Sequence, residues 1–260
     1  MTFAEQIVYA MFKPSRYREL IDLKKSRFTA FVIALMLAVG LVRQVIPEAA
    51  FISGFGGFDR LFTEKMAPLN FNDGNLTIER PFNMSLSLYK IIIDTDEDKV
   101  SDDKMDKSGG YIAFGKKYLS VVVNDGNRLL SYGDALLSEI LPDGFSNKTL
   151  KAMIPFIYFS MVINYLIYSA WCFAKYAVLA LLFGLSIRGI NQMANIGLTK
   201  QEIFRLCFYG QTLGIIISNF NTALGLMPAM RVSFICIMIS VHMINSGLRH
   251  MGGMSKADQF

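Results

Sequence analysis

The chain has 260 residues, 53% of them hydrophobic, and a mean hydropathy of +0.37, which is more apolar side chain than a soluble domain of this length buries. Its net charge of +5 is unevenly placed: residues 1–47 carry seven basic against three acidic side chains, residues 48–150 eleven against sixteen, and residues 151–260 eight against two. The only long polar region is thus acidic and the basic residues flank apolar runs, a distribution that argues against a nucleic-acid partner and for the lipid bilayer.

The first apolar run, FTAFVIALMLAVGLVRQVIP at residues 28–47, predicts a membrane-spanning helix ending at Pro47. A cleaved leader is the alternative, but the run is preceded by 27 residues and Ala49-Ala50 makes a poor cleavage signal, so a retained anchor is expected. Lys13, Arg16, Arg18, Lys24, Lys25 and Arg27 precede it, which by the positive-inside rule places the basic segment 1–27 in the cytoplasm and residues 48–150 outside.

That external region reads as a small α+β domain with an antiparallel sheet. Helical pieces are expected in AAFISGFGGFDRLFTEKM (49–66) and in SYGDALLSEIL (131–141), where Asp134 would cap or charge the first turn. Between them, LNF-NDGN-LTI, SLSLYKIIIDT and YIAFGKKYLSVVVNDG have the alternation and turn residues of strands. Asn75, Asn83 and Asn147 begin formal glycosylation sequons.

Within IIIDTDEDKVSDDKMDK (91–107), Asp94, Asp96 and Asp98 have the spacing with which a calcium loop begins, and Asp102 falls at its ninth position. The sixth and twelfth positions, which need Gly and a bidentate Glu, hold Lys99 and Met105. A strand end followed by a solvated loop is the plainer reading, with weak external calcium binding by these four aspartates as the alternative. The three cysteines, Cys172, Cys207 and Cys236, lie in apolar runs, and His242 and His250 have no ligand-type neighbours at metal spacing. No cofactor or other metal is expected.

Residues 152–187 form an apolar run that would measure about 54 Å as one helix, against a hydrocarbon core of about 30 Å. No Gly or Pro lies between Pro155 and Gly184 to turn it, and two spans would put Arg188, Lys200 and Arg205 outside. One long second helix is therefore expected, then a cytoplasmic loop at 188–202, a third span at about 203–226, a turn at Pro228, a fourth span at about 230–248 and a cytoplasmic tail at 249–260. The whole is an α-helical integral membrane protein of the cell membrane, with four spans and both termini cytoplasmic.

Neither 152–187 nor 203–248 contains an Asp or Glu, which removes most support for a cation-coupled transporter. Asn164, Tyr168, Trp171 and Lys175 follow at helical spacings and share a stripe, a candidate contact for a partner chain, a lipid phosphate or a ligand. Gly210, Gly214, Ser218 and Thr222 recur every four residues, the pattern of close helix approach, with Gln211, Asn219 and Asn221 beside them. No nucleophile elbow, zinc-binding helix or phosphate loop is present, and an enzyme is not expected.

Phe12, Pro14 and Tyr17 in AMFKPSRYRELIDLKKSRFTAFVIALM, together with Ile93-Asp94-Thr95, resemble a bacterial family of membrane proteins, domain-of-unknown-function family 1189. Some members carry the label maltodextrin utilization protein, which implies an association with a sugar importer. IGLTKQEIFRLCFYGQTL is similar to the loop and span entrance of the Yip family of membrane-trafficking proteins. Two functions are expected: a non-enzymatic membrane accessory protein engaging a membrane-protein partner or a second copy of itself, or a carrier or lipid-handling protein using the Lys175 stripe.

Overall fold

The structure is a computed structural model that describes residues 1–86, 89–104, 110–124, 129–193 and 195–257. It divides into a helical unit, Met1–Ile46 with Ile163–Phe260, and a second unit, Pro47–Val162, that carries the strands.

In the helical unit, α1 (Phe3–Phe12) starts from a capping box in which Thr2 and Glu5 satisfy each other's backbone N–H. A 3-10 turn at Pro14–Arg16 leads into α2 (Tyr17–Ile21) and then α3 (Lys25–Gly40). The basic segment is thus folded, not trailing: Ala10, Tyr17, Leu20 and Ile21 are buried in the same core as Phe31 and Tyr209. The Tyr17 hydroxyl donates to the Ala10 carbonyl, and Arg205 donates to the Ile21 and Leu23 carbonyls at 2.7 Å each while lying over the Phe28 ring.

The first predicted span continues past Pro47. A π-helical turn at Leu41–Val45 joins α3 to α4 (Ile46–Gly54), giving one helix, Lys25–Gly54. Proline normally breaks a helix because it lacks an N–H and its ring meets the carbonyl four residues back; the wider π turn directly before Pro47 relieves both constraints.

Beyond Gly54, α5 (Phe58–Arg60) and a π turn at Leu61–Lys65 precede the strands, so the helical reading of 49–66 holds in two pieces. β1 (Leu69–Asn72) and β2 (Asn75–Ile78) form the hairpin that Asn-Asp-Gly-Asn announces, with Asp73 and Gly74 both at positive φ. The stretch read as a single strand around SLSLYKIIIDT is two, β3 (Phe82–Leu86) and β4 (Tyr89–Ile93), paired antiparallel. β5 (Gly110–Phe114) pairs parallel with β4, among the described residues the one departure from an antiparallel sheet. β6 (Tyr118–Asn124) and β7 (Leu129–Leu136) complete the five-stranded order β3-β4-β5-β6-β7.

SYGDALLSEIL is therefore mostly strand, and the expected helix shrinks to α6 (Leu137–Ile140). Asp134 does not cap it: it sits in β7, where it accepts from Ser120 on the neighbouring strand and pairs with Lys99. Tertiary pairing with β6 overrides a segment of ambiguous local propensity.

β8 (Phe145–Ser146) returns to β1, giving the order β2-β1-β8, and α7 (Asn147–Ala152) follows. Asn147 clasps the unit's opening segment. Its amide N–H groups donate to the Phe62 and Ala67 carbonyls at 2.8 and 3.3 Å, and its carbonyl accepts from Leu69 N at 2.7 Å.

The long apolar run is one helix, α8 (Ile154–Met193, 40 residues). α9 (Lys200–Leu224) opens on a second reciprocal capping box, Thr199 with Glu202, and closes on Gly225 in the left-handed conformation. α10 (Ala229–Ala257) packs along it. Among the described residues, three helices are long and apolar enough to cross a membrane: Lys25–Gly54, Ile154–Met193 and Ala229–Gly252. α9 is more polar than these three and more deeply buried. It is buried at Leu206 through Thr212 without interruption, whereas α8 buries only Ser169, Cys172, Tyr176, Ala180, Gly184 and Ile187 along one stripe.

Candidate functional site

In the helical unit the polar groups close on one another. Arg43 donates to the Tyr168 hydroxyl at 2.9 Å and stacks on the same ring at 4.7 Å; that hydroxyl donates to Asn219 Oδ1 at 2.7 Å; and the Asn219 amide donates to the Ile215 carbonyl at 2.8 Å. Three helices are thereby tied through one tyrosine. Nearby, Tyr165 donates to the Leu37 carbonyl, and a Cβ added at Gly40 would lie 2.5 Å from Ser169 Oγ, so α3 and α8 approach here as closely as glycine permits.

The expected stripe of Asn164, Tyr168, Trp171 and Lys175 is displaced by one residue from the face that packs inward, which begins at Ser169, Cys172 and Tyr176. One residue is about 100° of helix rotation. Only Tyr168 of the four turns inward enough to join the network; Asn164 and Lys175 are exposed and Trp171 is 69% exposed. Arg43, which the sequence analysis did not single out, is the part-buried cation that joins this network.

The small residues of α9 divide in role. A Cβ at Gly210 would overlap Ile244 Cγ1, and one at Gly214 would meet the Cys236 carbonyl and Ser240 Oγ at 3.1 Å, so these two seat α10 within the same chain. Ser218 instead lines a cleft, and Thr222 is exposed and donates back to the Ser218 carbonyl. The cleft, about 200 Å³, also touches Lys175, Gln211 and Ser240. Gln211 is 2% exposed; its amide donates to the Cys207 carbonyl, while its Oε1 has no partner among the described residues. Lys175 lies over the ring of Tyr176 at 5.2 Å.

The acidic stretch is a pinned connection. Asp94, 7% exposed, accepts from Lys104 at 2.8 Å and from Asp96 N–H at 3.1 Å, and Asp98 pairs with Lys117 at 2.9 Å. Asp96 is exposed; Asp102 begins a 3-10 turn, its side chain and Met105 lying outside the described residues. Backbone bonds from Lys116, Lys117 and Tyr118 to the Glu97 and Asp98 carbonyls hold the connection against the β5–β6 turn. The Lys104 hydrogen bond holds the Asp94 carboxyl below its ordinary range, although burial opposes the shift, and the Lys99 ammonium does the same for Asp134. Among the described residues no cluster of three His, Cys, Asp or Glu stands ready for a metal.

What composition and spacing gave no hint of is a large apolar cavity inside the strand-bearing unit, about 480 Å³. Its walls follow from strand alternation: Ile91 and Ile93, with Phe114 and Leu119, line it from the five-stranded sheet, while Ile92, Tyr111, Ala113 and Val122 form a separate core on the opposite face. Leu69, Leu76 and Phe145 line it from the three-stranded sheet. Phe51 and Ile52 of α4 and Ile157 and Met161 of α8 complete it, and among the described residues Glu48 is its one charged neighbour.

The fold and these sites define a class: a mostly helical protein with three helices able to cross a membrane, and a small, largely antiparallel sheet unit inserted in sequence between the first two. The chain belongs to the family described as "Protein of unknown function (DUF1189)", whose family model matches residues 4–248. No curated protein and no solved structure matches it.

Proposed function

We propose that this protein is a non-enzymatic membrane accessory protein. It crosses the cell membrane four times, with α9 as the spanning helix that its neighbours shield from lipid, both termini in the cytoplasm and the strand-bearing unit on the outer face. The charge bias supports this orientation, and burial supports the fourth span, since a helix surrounded by protein can be less apolar than one facing lipid.

The observation that carries the reading is the closed network of Arg43, Tyr168 and Asn219. A transporter keeps polar groups available along a path, whereas Arg43, Tyr168 and Asn219 are spent holding helices together, and neither 152–187 nor 203–248 contains a carboxylate. What remains for function is the outer unit and the exposed apolar faces of α8 and α10, which suit a membrane-protein partner. The members labelled maltodextrin utilization protein make a sugar importer the first partner to test.

Two measurements test this. Single cysteines at Asp103 and Lys200, in a background lacking the native three, should label from outside with a membrane-impermeant maleimide at 103 and stay protected at 200; the reverse pattern inverts the topology and sinks the reading. Purification in mild detergent should then bring down a stoichiometric membrane protein. A solitary monomer that moves solute across vesicles would show a carrier instead.

A further inference from the structure

The geometry points to the 480 Å³ cavity as a binding site for one acyl chain of a single-chain membrane lipid, taken up with its polar end outside. Volume sets the number of chains. An apolar cavity of about 150 Å³ holds one benzene, so this one holds roughly three such volumes, the bulk of one long chain and too little for the two tails of a diacyl lipid. Ligand pockets of about 300–1,000 Å³ are ordinary, but they normally offer several polar groups to orient a polar ligand. Here Leu76, Ile93, Phe114, Leu119 and Phe145 offer only hydrocarbon, which selects a ligand that is hydrocarbon where it is buried.

The source of the chain follows from the elements that wall the site. Phe51 and Ile52 belong to the helix Lys25–Gly54 and Ile157 and Met161 to the helix Ile154–Met193, both long and apolar enough to cross a membrane. A cavity walled in part by segments of such helices makes a chain drawn from the membrane the ligand to test. A ligand that binds the folded unit and not the unfolded chain stabilises it, so occupancy and stability of the unit are linked.

The test uses the full chain in phosphatidylcholine nanodiscs. Three preparations receive trace amounts of a probe with a photoactivatable diazirine on the acyl chain: lysophosphatidylcholine, palmitate, or diacyl phosphatidylcholine. After illumination, adducts are mapped by peptide mass spectrometry. Labelling by either single-chain probe on peptides carrying Leu76, Ile93, Phe114 or Phe145 is expected, and the stronger of the two identifies lysolipid or free fatty acid as the source. Filling the cavity with Leu119→Trp should lower these adducts at least fivefold while adducts on 163–187 stay constant. Ile91→Phe, a smaller filling change, serves where the tryptophan variant loses its native melting transition. Adducts confined to membrane-spanning peptides, labelling by the diacyl probe alone, or cavity labelling that folded filled variants leave unchanged would each overturn the inference.

Discussion

Arg43 meets Tyr168 twice, as a cation stacked on the ring at 4.7 Å and as a hydrogen-bond donor to its hydroxyl at 2.9 Å. The same hydroxyl reaches Asn219, so one oxygen serves α8, α9 and the π turn after α3. Tyr168→Phe should keep the stacking and lose both hydrogen bonds, costing about 1–3 kcal/mol because Asn219 Oδ1 is left buried without its donor. A lower thermal midpoint in detergent checks this, and an unchanged midpoint would remove the tyrosine from the fold's essentials.

Gly210 and Gly189 make a matched pair of opposite sign. Gly210→Ala drives a methyl into Ile244 and should destabilise by about 1–3 kcal/mol. Gly189 has nothing within 4 Å of an added Cβ and lies inside α8, so Gly189→Ala should stabilise by about 0.5–1 kcal/mol. In a double-mutant cycle, Ile244→Ala should cost less in the Gly210→Ala background than alone.

Acid should loosen the connection between β4 and β5. Asp94 is depressed by its hydrogen bond from Lys104, so the stability it contributes is present above the ordinary carboxylate range and is lost as pH falls through its lowered pKa. Lys104 is raised by the same bond, and its contribution persists until pH climbs through the raised lysine value. Lys104→Met should therefore lower the melting temperature more at pH 7 than at pH 3, the difference growing as pH falls through the lowered Asp94 pKa. A variant equally destabilised at both values would show that the ion pair is not the cause.

Gln211 offers a stabilising change. Its unpartnered buried Oε1 costs about 1–3 kcal/mol, so Gln211→Met, similar in shape and without that oxygen, should raise the detergent midpoint. A fall would mean that the cleft supplies Oε1 with a donor, and a structure of the variant would locate it.

The helical unit was largely legible in the sequence because lipid and helix geometry leave strong marks: long apolar runs, flanking lysines and arginines, and the four-residue recurrence at Gly210 and Gly214. Phase was less legible. The stripe through Tyr168 and Lys175 is polar, yet the inward face is the one through Ser169 and Tyr176, because close packing favours small and aromatic side chains there regardless of polarity. Pro47 misled for a local reason, the π turn that accommodates it. In the strand-bearing unit, Asp73-Gly74 gave away its hairpin through backbone chemistry, whereas the pairing of Asp134's segment with β6 depends on residues far away in the chain. The cavity had no sequence signature, since Ile91 and Ile93 read the same whether they face packed side chains or line a cavity.

Asn147 fastens residues made at the start of the strand-bearing unit to residues made at its end, and Phe71 finds its β8 partner only at Phe145. During synthesis the first hairpin must therefore wait for nearly the whole unit to emerge before it is enclosed. Its apolar inner surface meanwhile faces whatever the surroundings supply. The side chain that performs this closure also heads a glycosylation sequon, and a sugar on that amide would occupy the atom that fastens Phe62 and Ala67. In any host that attaches glycans at such triplets, sealing the unit and decorating it compete for one nitrogen.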